Sequence, residues 1–396
     1  MTPPARAQAA IDILDLVVAA ARESGAAADT IVADYFRTRR YAGSGDRRAV
    51  RELVYAAIRR AGERPETGRA ALLGLADDRL EVAALFNGAG HGPVAASPDE
   101  PRAAAGIAPA WLLAALAPVL DIDEQAALLG RAPLDLRVNT LRADPAAVRA
   151  ELAEATPVPA APLALRLPEG TRVEDLPAFR EGRVEVQDAG SQLIARACAA
   201  APGMLVVDLC AGAGGKSLAL AADMGGPASG QGRLVACDTD RARLSRLAPR
   251  AARAGATSER RLLDPGREGE ALADLLGAAD VVLVDAPCSG TGTWRRNPEA
   301  RWRLTPDRLG RLVRLQAHIL DLAATLVRPG GRLVYAVCSL LPAEGPAAID
   351  AFFNRRSGWT AEELSFAAGR GQGAGRVLTP LSDGTDGFFI ARLKAP

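Results

Sequence analysis

Val281–Gly292 reads VVLVDAPCSGTG: four apolar residues run into Asp285, then into Pro287-Cys288, then into a glycine-rich turn. A short continuous apolar run bounded by turn residues has the pattern of a buried strand in a parallel sheet, here with chemistry on its last residues. Asp285 and Cys288 are then expected at the carboxyl edge of an open α/β sheet, where the loops leaving the strands form a ligand-binding crevice. A second apolar run, RLVYAVCS (Arg332–Ser339), ends the same way on Cys338. Either cysteine alone reads better as a small buried hydrophobe, because free Cys is among the most buried residue types. Two strands that each deliver a thiol to one edge point to a reactive pair.

The pattern around these two runs is consistent with such a sheet. From Leu205 the chain gives strand, Gly-rich loop and helix (LVVDLCAGAGGKSLALAADM), then the strand GRLVACDTD and the helix RARLSRLAPRAARAG. A short strand ending at Leu263-Asp264, the strand into Asp285, a helix over Pro306–Leu326 and the strand into Cys338 follow. This alternation predicts a mostly parallel sheet with helices on both faces. The tail GRVLTPLSDGTDGFFIARL reads as two strands about a Gly/Asp turn, a hairpin adding an antiparallel edge.

Upstream, PLDLRVNT, the capped helix from Asp144 to Ala155, ALRLPEG and the helix DLPAFREG form a small α+β module, and RVEVQDAGSQLIARACAA leads into the larger sheet. Residues 5–60 read as helices. Ile11, Leu14 and Val18 keep helical spacing, and Asp46 is expected as an N-cap before Val50, Leu53, Val54 and Ala57. Within Arg37–Arg60, eight arginines (Arg37, Arg39, Arg40, Arg47, Arg48, Arg51, Arg59, Arg60) stand against Asp46 and Glu52. They read either as a phosphate-facing surface or as a solvated helix face. Residues 66–86 continue as helix, and the Gly/Pro/Ser-rich stretch after Phe86 marks a loop near a domain boundary.

With 396 residues, 49% hydrophobic and 24% charged, the chain has room for two or three domains. A formal charge of +1 leaves any nucleic-acid surface to local clustering. Only Lys216 and Lys394 are lysine; every other basic residue is arginine, which reads as coding bias. Cys198, Cys210, Cys237, Cys288 and Cys338 form no C-x-x-C pair, and the histidines are His91 and His318 alone. Neither a disulfide scaffold nor a Cys/His zinc site is expected, and a reducing cytoplasm fits. The start carries Asp12 and Asp15 inside its apolar stretch, a poor signal peptide, and no run of about twenty apolar residues suggests a membrane span.

The loop Asp208–Ser217 (DLCAGAGGKS) admits three readings. A phosphate-binding P-loop needs glycine where Cys210 stands, although VVLVD resembles a magnesium-binding acidic strand. A dinucleotide fingerprint needs Gly or Ala where Ser217 stands. The third reading is S-adenosylmethionine, which asks for a close backbone approach and an acid at the end of the next strand. Asp238 stands at that end, Asp264 ends the following strand for the adenine, and Asp285 faces the methionine end. Each aspartate has an alternative as a helix N-cap, and Asp240 is read that way.

A thiolate can add to C6 of a pyrimidine and make C5 nucleophilic toward a sulfonium methyl group, splitting one hard step into two. DLCAGAGGK, VQDAGSQL, DAPCSGTG followed by TWRRNPEARWR, and VYAVCSLLPAEG together resemble the RNA cytosine-5 methyltransferases of the RsmB/Sun/Fmu and NOP2/NSUN group. The resemblance runs from about Pro133 to the C-terminus. It implies Cys338 as nucleophile, Cys288 as the residue that assists release, and Asp285 beside them. It also implies a cofactor site of Cys210, Ala211, Gly212, Ala213, Gly214, Gly215, Lys216, Asp238, Asp264 and Asp285, with no metal. Val337 departs from the family's usual Thr. DRRAVRELVYAAIRR resembles a NusB-like helical domain, which tilts the expected substrate toward 16S ribosomal RNA.

The fold so implied is α/β: a Rossmann-like methyltransferase sheet over 183–396, a small α+β (RRM-like) subdomain over 101–182 and an all-α NusB-like RNA-binding domain over 1–100. Arg295, Arg296, Arg301 and Arg303, interleaved with Trp294 and Trp302, are expected to offer cations and flat surfaces to single-stranded RNA; core packing against the Pro306 helix is the alternative for Trp302. The target cytosine must be unstacked or flipped out. A monomeric cytoplasmic enzyme is the expectation. A non-catalytic RNA-binding assembly factor for ribosomes, or tRNA as substrate, stands as the alternative.

Overall fold

The computed structural model describes every residue other than 24, 227–229 and 231, and in it the apolar spacing of residues 1–60 becomes three helices: α1 (Pro3–Glu23), α2 (Ala28–Arg37) and α3 (Ser44–Arg60). A fourth, α4 (Gly68–Asp78), is capped by the Thr67 hydroxyl, which accepts the Ala70 N–H at 3.0 Å. Ile11, Leu14 and Val17 of α1, Val50, Val54 and Ile58 of α3 and Leu72 of α4 share one core. Asp46 is not the N-cap. The helix starts two residues earlier, after Gly43, and the Asp46 carboxylate accepts the Gly43 N–H (3.2 Å), the terminal ammonium of Met1 (3.0 Å) and Arg6 (2.9 Å).

This helical unit comprises Met1–Arg131 and, from far along the chain, Thr293–Pro306; Ala132–Gly292 and Asp307–Pro396 form a second unit. The expected cuts at 100 and 182 do not coincide with that division. Residues 101–131 and 293–306 group with the helices, and 132–182 group with the large sheet. No helix among the described residues is long and apolar enough to cross a membrane.

The second unit opens with β1 (Leu134–Val138), β2 (Thr156–Pro157), β3 (Ala164–Leu167) and β4 (Val184–Val186), antiparallel in the order β2-β3-β1-β4. Leu136, Leu165, Val184 and Val148 of the helix Pro145–Glu151 fill its core. Buried polar groups fasten this small sheet to the larger part of the unit. Asn139 Nδ2 donates to the carbonyls of Gly182 (2.7 Å) and Ala254 (2.8 Å), and Glu185 pairs with Arg250 (3.1 Å) and Arg253 (2.5 Å).

The large sheet holds β5 (Leu205–Asp208), β6 (Arg233–Asp238), β7 (Glu259–Leu262), β8 (Ala279–Asp285) and β9 (Val327–Val337), all parallel, in the order β9-β8-β5-β6-β7. The chain winds outward from β5 through β6 to β7, then returns to the other side of β5 for β8 and β9. That reversal makes the carboxyl ends of β5 and β8 a topological switch point, the place where such sheets bind ligands. β10 (Thr360–Glu362), β11 (Arg370–Gln372), β12 (Gly375–Leu378) and β13 (Phe388–Lys394) complete it, with β13 antiparallel to β9. The expected tail hairpin is β12–β13; β10 and β11, three residues each, have no apolar alternation to announce them.

Candidate active site

Both thiols stand at the switch-point edge. β8 and β9 run parallel in a register that sets Asp285 opposite Ala336, so Cys288 and Cys338 leave neighbouring strand ends together. Their sulfurs lie 3.4 Å apart, and both residues are half-buried. The hydrogen bond to Cys338, and then burial, push the Cys288 thiol well above its ordinary range. Behind the pair the backbone is tight. Gly292 donates its N–H to the Cys338 carbonyl (3.0 Å), and its own carbonyl accepts the Gly387 N–H (2.8 Å). A Cβ on Gly292 would stand 2.0 Å from the Gly387 oxygen, so only glycine fits there.

The loop Cys210–Lys216 follows β5 on the same edge. Gly214 takes a left-handed φ of +83° where the helix Gly215–Asp223 begins, and a Cβ there would strike Leu247. The Asp238 carboxylate, at the end of β6, accepts the N–H groups of Gly212 and Asp240, each at 2.7 Å. Asp240 is the N-cap it was read to be, accepting the Arg243 N–H at 3.0 Å. Asp264 is exposed, one residue beyond Leu263, whose N–H reaches the Asp238 carbonyl (2.9 Å). Lys216 Nζ reaches from the loop to Asp285 Oδ2 at 2.7 Å, joining the ends of β5 and β8. Burial alone would lower the Lys216 ammonium, but the Asp285 carboxylate outweighs burial and holds it above its usual value. Ala211, Ala213 and Gly215 complete the half-exposed rim of the loop.

A buried polar frame behind the thiols went unread in the sequence. Glu344 accepts hydrogen bonds from Ser289, Ser339 and Gln316, and Thr291 joins them through Ser339 (3.2 Å) and the Leu340 N–H (2.8 Å). One signal for it exists: Gln316 falls on the buried stripe of its helix with Leu320, Ala323 and Leu326, where an amide demands a partner. Asp208, at the end of β5, is also fully buried; burial pushes its carboxyl up to about 7 although the Ser217 hydroxyl donates to it at 2.6 Å.

The arginine-tryptophan stretch after Gly292 does not offer the surface expected of it. Trp294, Arg295, Arg301 and Trp302 are all buried, and all four belong to the segment that groups with the helices. Arg301 Nη2 donates to the carbonyls of Ile58 (2.6 Å) and Ala61 (2.8 Å), Trp302 Nε1 donates to Ala61 (3.1 Å), and Arg303 caps Gly25 (2.9 Å) and Ala26 (2.5 Å). The cause is chain-end chemistry: α3 ends with carbonyls lacking intrahelical partners, and a guanidinium satisfies several of them at once. Trp302 packs in the core of α1–α4. Of the four arginines, Arg296 is exposed. In the earlier cluster, Arg60 pairs with Asp78 (2.6 Å) and Arg39 lies 3.6 Å over the Tyr35 ring. Arg47, Arg48 and Arg51 line a groove of about 420 Å³ with Phe36 and Asp29.

A family model described as 16S rRNA methyltransferase RsmB/F matches residues 196–394. The probable ribosomal RNA small subunit methyltransferase B of Synechocystis sp. is 38% identical over 275 residues, 66% of this chain and 60% of that protein. The ribosomal RNA small subunit methyltransferase B of Xanthomonas campestris is 38% identical over 267 residues, with the same two shares. The chain thus matches about 60% of the length of these curated relatives. Among solved structures, PH0851 superimposes with a TM-score of 0.76 at 24% identity, covering 99% of each chain. A methyltransferase homolog protein from Pyrococcus horikoshii gives 0.59 at 26% identity, over 69% of this chain and 89% of that one.

Proposed function

Because the chain belongs to the 16S rRNA methyltransferase RsmB/F family, we propose that it transfers a methyl group from S-adenosylmethionine to C5 of a cytosine in RNA, with small-subunit ribosomal RNA as the first candidate. The observation that carries this reading is the pair of sulfurs 3.4 Å apart, on the same sheet edge as a glycine loop and the Lys216–Asp285 ion pair. The chemistry of the donor set fits the cofactor. Carboxylates end β6 and β8 and follow β7, acceptors suited to ribose hydroxyls and an ammonium, and each carboxylate offers about four lone-pair sites. Cys210–Lys216, Asp238, Asp264 and Asp285 would hold it.

Once bound, S-adenosylmethionine supplies an electrophilic methyl group. The Cys338 thiolate forms a bond to C6 of the flipped cytosine; the C5=C6 pair moves to C4=C5, the N3=C4 pair moves to N3, and N3 takes a proton from the Lys216–Asp285 pair. C5 would then take the methyl group as its bond to the cofactor's sulfur breaks, and the N3 proton returns to the Lys216–Asp285 pair. Removal of the C5 proton restores C5=C6 and breaks the S–C6 bond. Cys288 serves that second half. The largest influence holding its proton is the hydrogen bond to Cys338, and that influence ends when the Cys338 sulfur is bonded to carbon. Cys288 then gives up its proton to solvent more readily, and its thiolate takes the C5 proton.

Incubation with labelled cofactor and unmodified small-subunit RNA, followed by nucleoside analysis, is expected to yield 5-methylcytidine. Cys338→Ala should lose at least 10³-fold in rate, in line with removal of a covalent nucleophile. Cys288→Ala should transfer the methyl group and remain crosslinked, giving a slow-migrating, nuclease-sensitive band. Full activity of Cys338→Ala would overturn the reading.

A further inference from the structure

Glu344 is fully buried and lies six residues beyond Cys338. No ion-pair partner lies within 4.0 Å of its carboxylate among the described residues. Neutral donors hold it instead: the N–H (2.9 Å) and hydroxyl of Ser289, the hydroxyl of Ser339 (2.5 Å) and the amide of Gln316 (2.9 Å). Ser289 and Ser339 are the residues that follow Cys288 and Cys338, and their hydroxyls lie 3.0 Å apart. Gln316 also donates to the carbonyl of Pro287, the residue before Cys288, at 3.0 Å. The Glu344 carbonyl accepts the Tyr335 hydroxyl from within β9 (2.7 Å). A buried carboxylate is costly unless its lone pairs are filled, so these donors and the acid fix one another.

Resting on the reading above, we propose that Glu344 is the positioning residue of the two-thiol site: its carboxylate ties the loop after Cys288 to the loop after Cys338 and sets the separation of the two sulfurs, so that Cys288 stands within reach of the adduct formed on Cys338. The carboxylate makes its hydrogen bonds to the two serines and not to the thiols, and its charge also helps to hold the Cys288 proton. It is acceptor-only, whereas a glutamine at 344 would present an amide N–H₂ to serine and glutamine donors that are already turned toward it. The conservative change therefore breaks the frame without leaving a cavity.

The test separates this geometry from the enzymology. Diamide, which takes two protons and two electrons from a pair of thiols, joins Cys288 to Cys338 at a rate that depends on their approach, and peptide mass spectrometry reads the bridge. In the full chain, Glu344→Gln should slow bridging at least tenfold while far-UV dichroism shows the fold retained, and Ser289→Ala should slow it by a smaller factor. With RNA and cofactor, Glu344→Gln should accumulate the crosslinked species that the unsubstituted protein clears, its kcat falling at least tenfold with KM for RNA within twofold. Bridging at the unsubstituted rate in both variants overturns the proposal whatever activity does. Slowed bridging without accumulation of the crosslink overturns the catalytic part. If the unsubstituted protein methylates no cytosine, the functional reading fails, and the bridging rates still decide the geometry. Should Glu344→Gln not fold, Ser289→Ala carries both readouts.

Discussion

At the scale of single residues, the site edge is built from groups that are hard to keep buried. Asp208 shows the cost: its Oδ2 takes the Ser217 hydroxyl, while Oδ1 is buried with no partner among the described residues. With its carboxyl raised from 3.8 to about 7, Asp208 keeps its proton in the folded protein over a pH window in which the unfolded chain has lost it. The native state then binds more protons, so stability falls as pH rises from about 4 to 7, by on the order of 4 kcal/mol from this group, and stays low above 7. Asp208→Asn should remove that decline. Its unfolding midpoint is expected to exceed that of the unsubstituted protein at pH 8 and to match it near pH 4; parallel midpoints across the range would refute this. Residues of this kind were only partly legible. Cys288 and Cys338 stood out because each interrupts the end of an apolar run, and Asp285 because it ends one. Glu344 and Ser339 lay in a quoted motif with no role, since a loop carboxylate reads as exposed until a structure gives it donors.

At the scale of elements, strands and helices were legible where their apolar period was long. The Pro306–Leu326 helix and the strand into Asp285 match the reading, as do β1, β3 and β4 of the small sheet. What was not legible is how the small sheet is held, because side chains far apart in sequence do it. Asn139 is the clearest case: buried to 1% exposure in the turn after β1, it donates both amide protons to carbonyls 43 and 115 residues away. Asn139→Ala would leave the Gly182 and Ala254 carbonyls buried and unpaired, at about 1–3 kcal/mol for the pair. Urea unfolding should report a lower midpoint with an unchanged slope, while Asn139→Asp, which cannot donate, should be at least as destabilising. A midpoint within error of the unsubstituted protein would mean that these bonds do not hold the sheet.

At the scale of the whole chain, the order of segments is not the order of the units. The polypeptide leaves the sheet-bearing unit after Gly292, contributes Thr293–Pro306 to the helical unit, and resumes the first at Asp307. Reading the sequence in order missed this, because the segment follows the Cys288 loop directly and its alternation of Arg and Trp matches both an RNA surface and a buried plug. Burial decides between them. Trp294 and Arg301 are among the largest fully buried side chains, and Arg301 is held by carbonyls of residues more than 200 positions upstream. The helical unit is therefore expected to depend on a piece of chain made long after it. Arg301→Met keeps much of the volume and removes the donors, leaving the Ile58 and Ala61 carbonyls short of partners; loss of a buried hydrogen-bond network of this kind costs about 2–4 kcal/mol. Calorimetry on the full chain should then resolve an early transition in which the helical unit melts ahead of the sheet-bearing one, with tryptophan emission shifting to the red as Trp302 and Trp294 meet water. If Arg301→Met unfolds in one transition at the original temperature, the plug does not hold that unit.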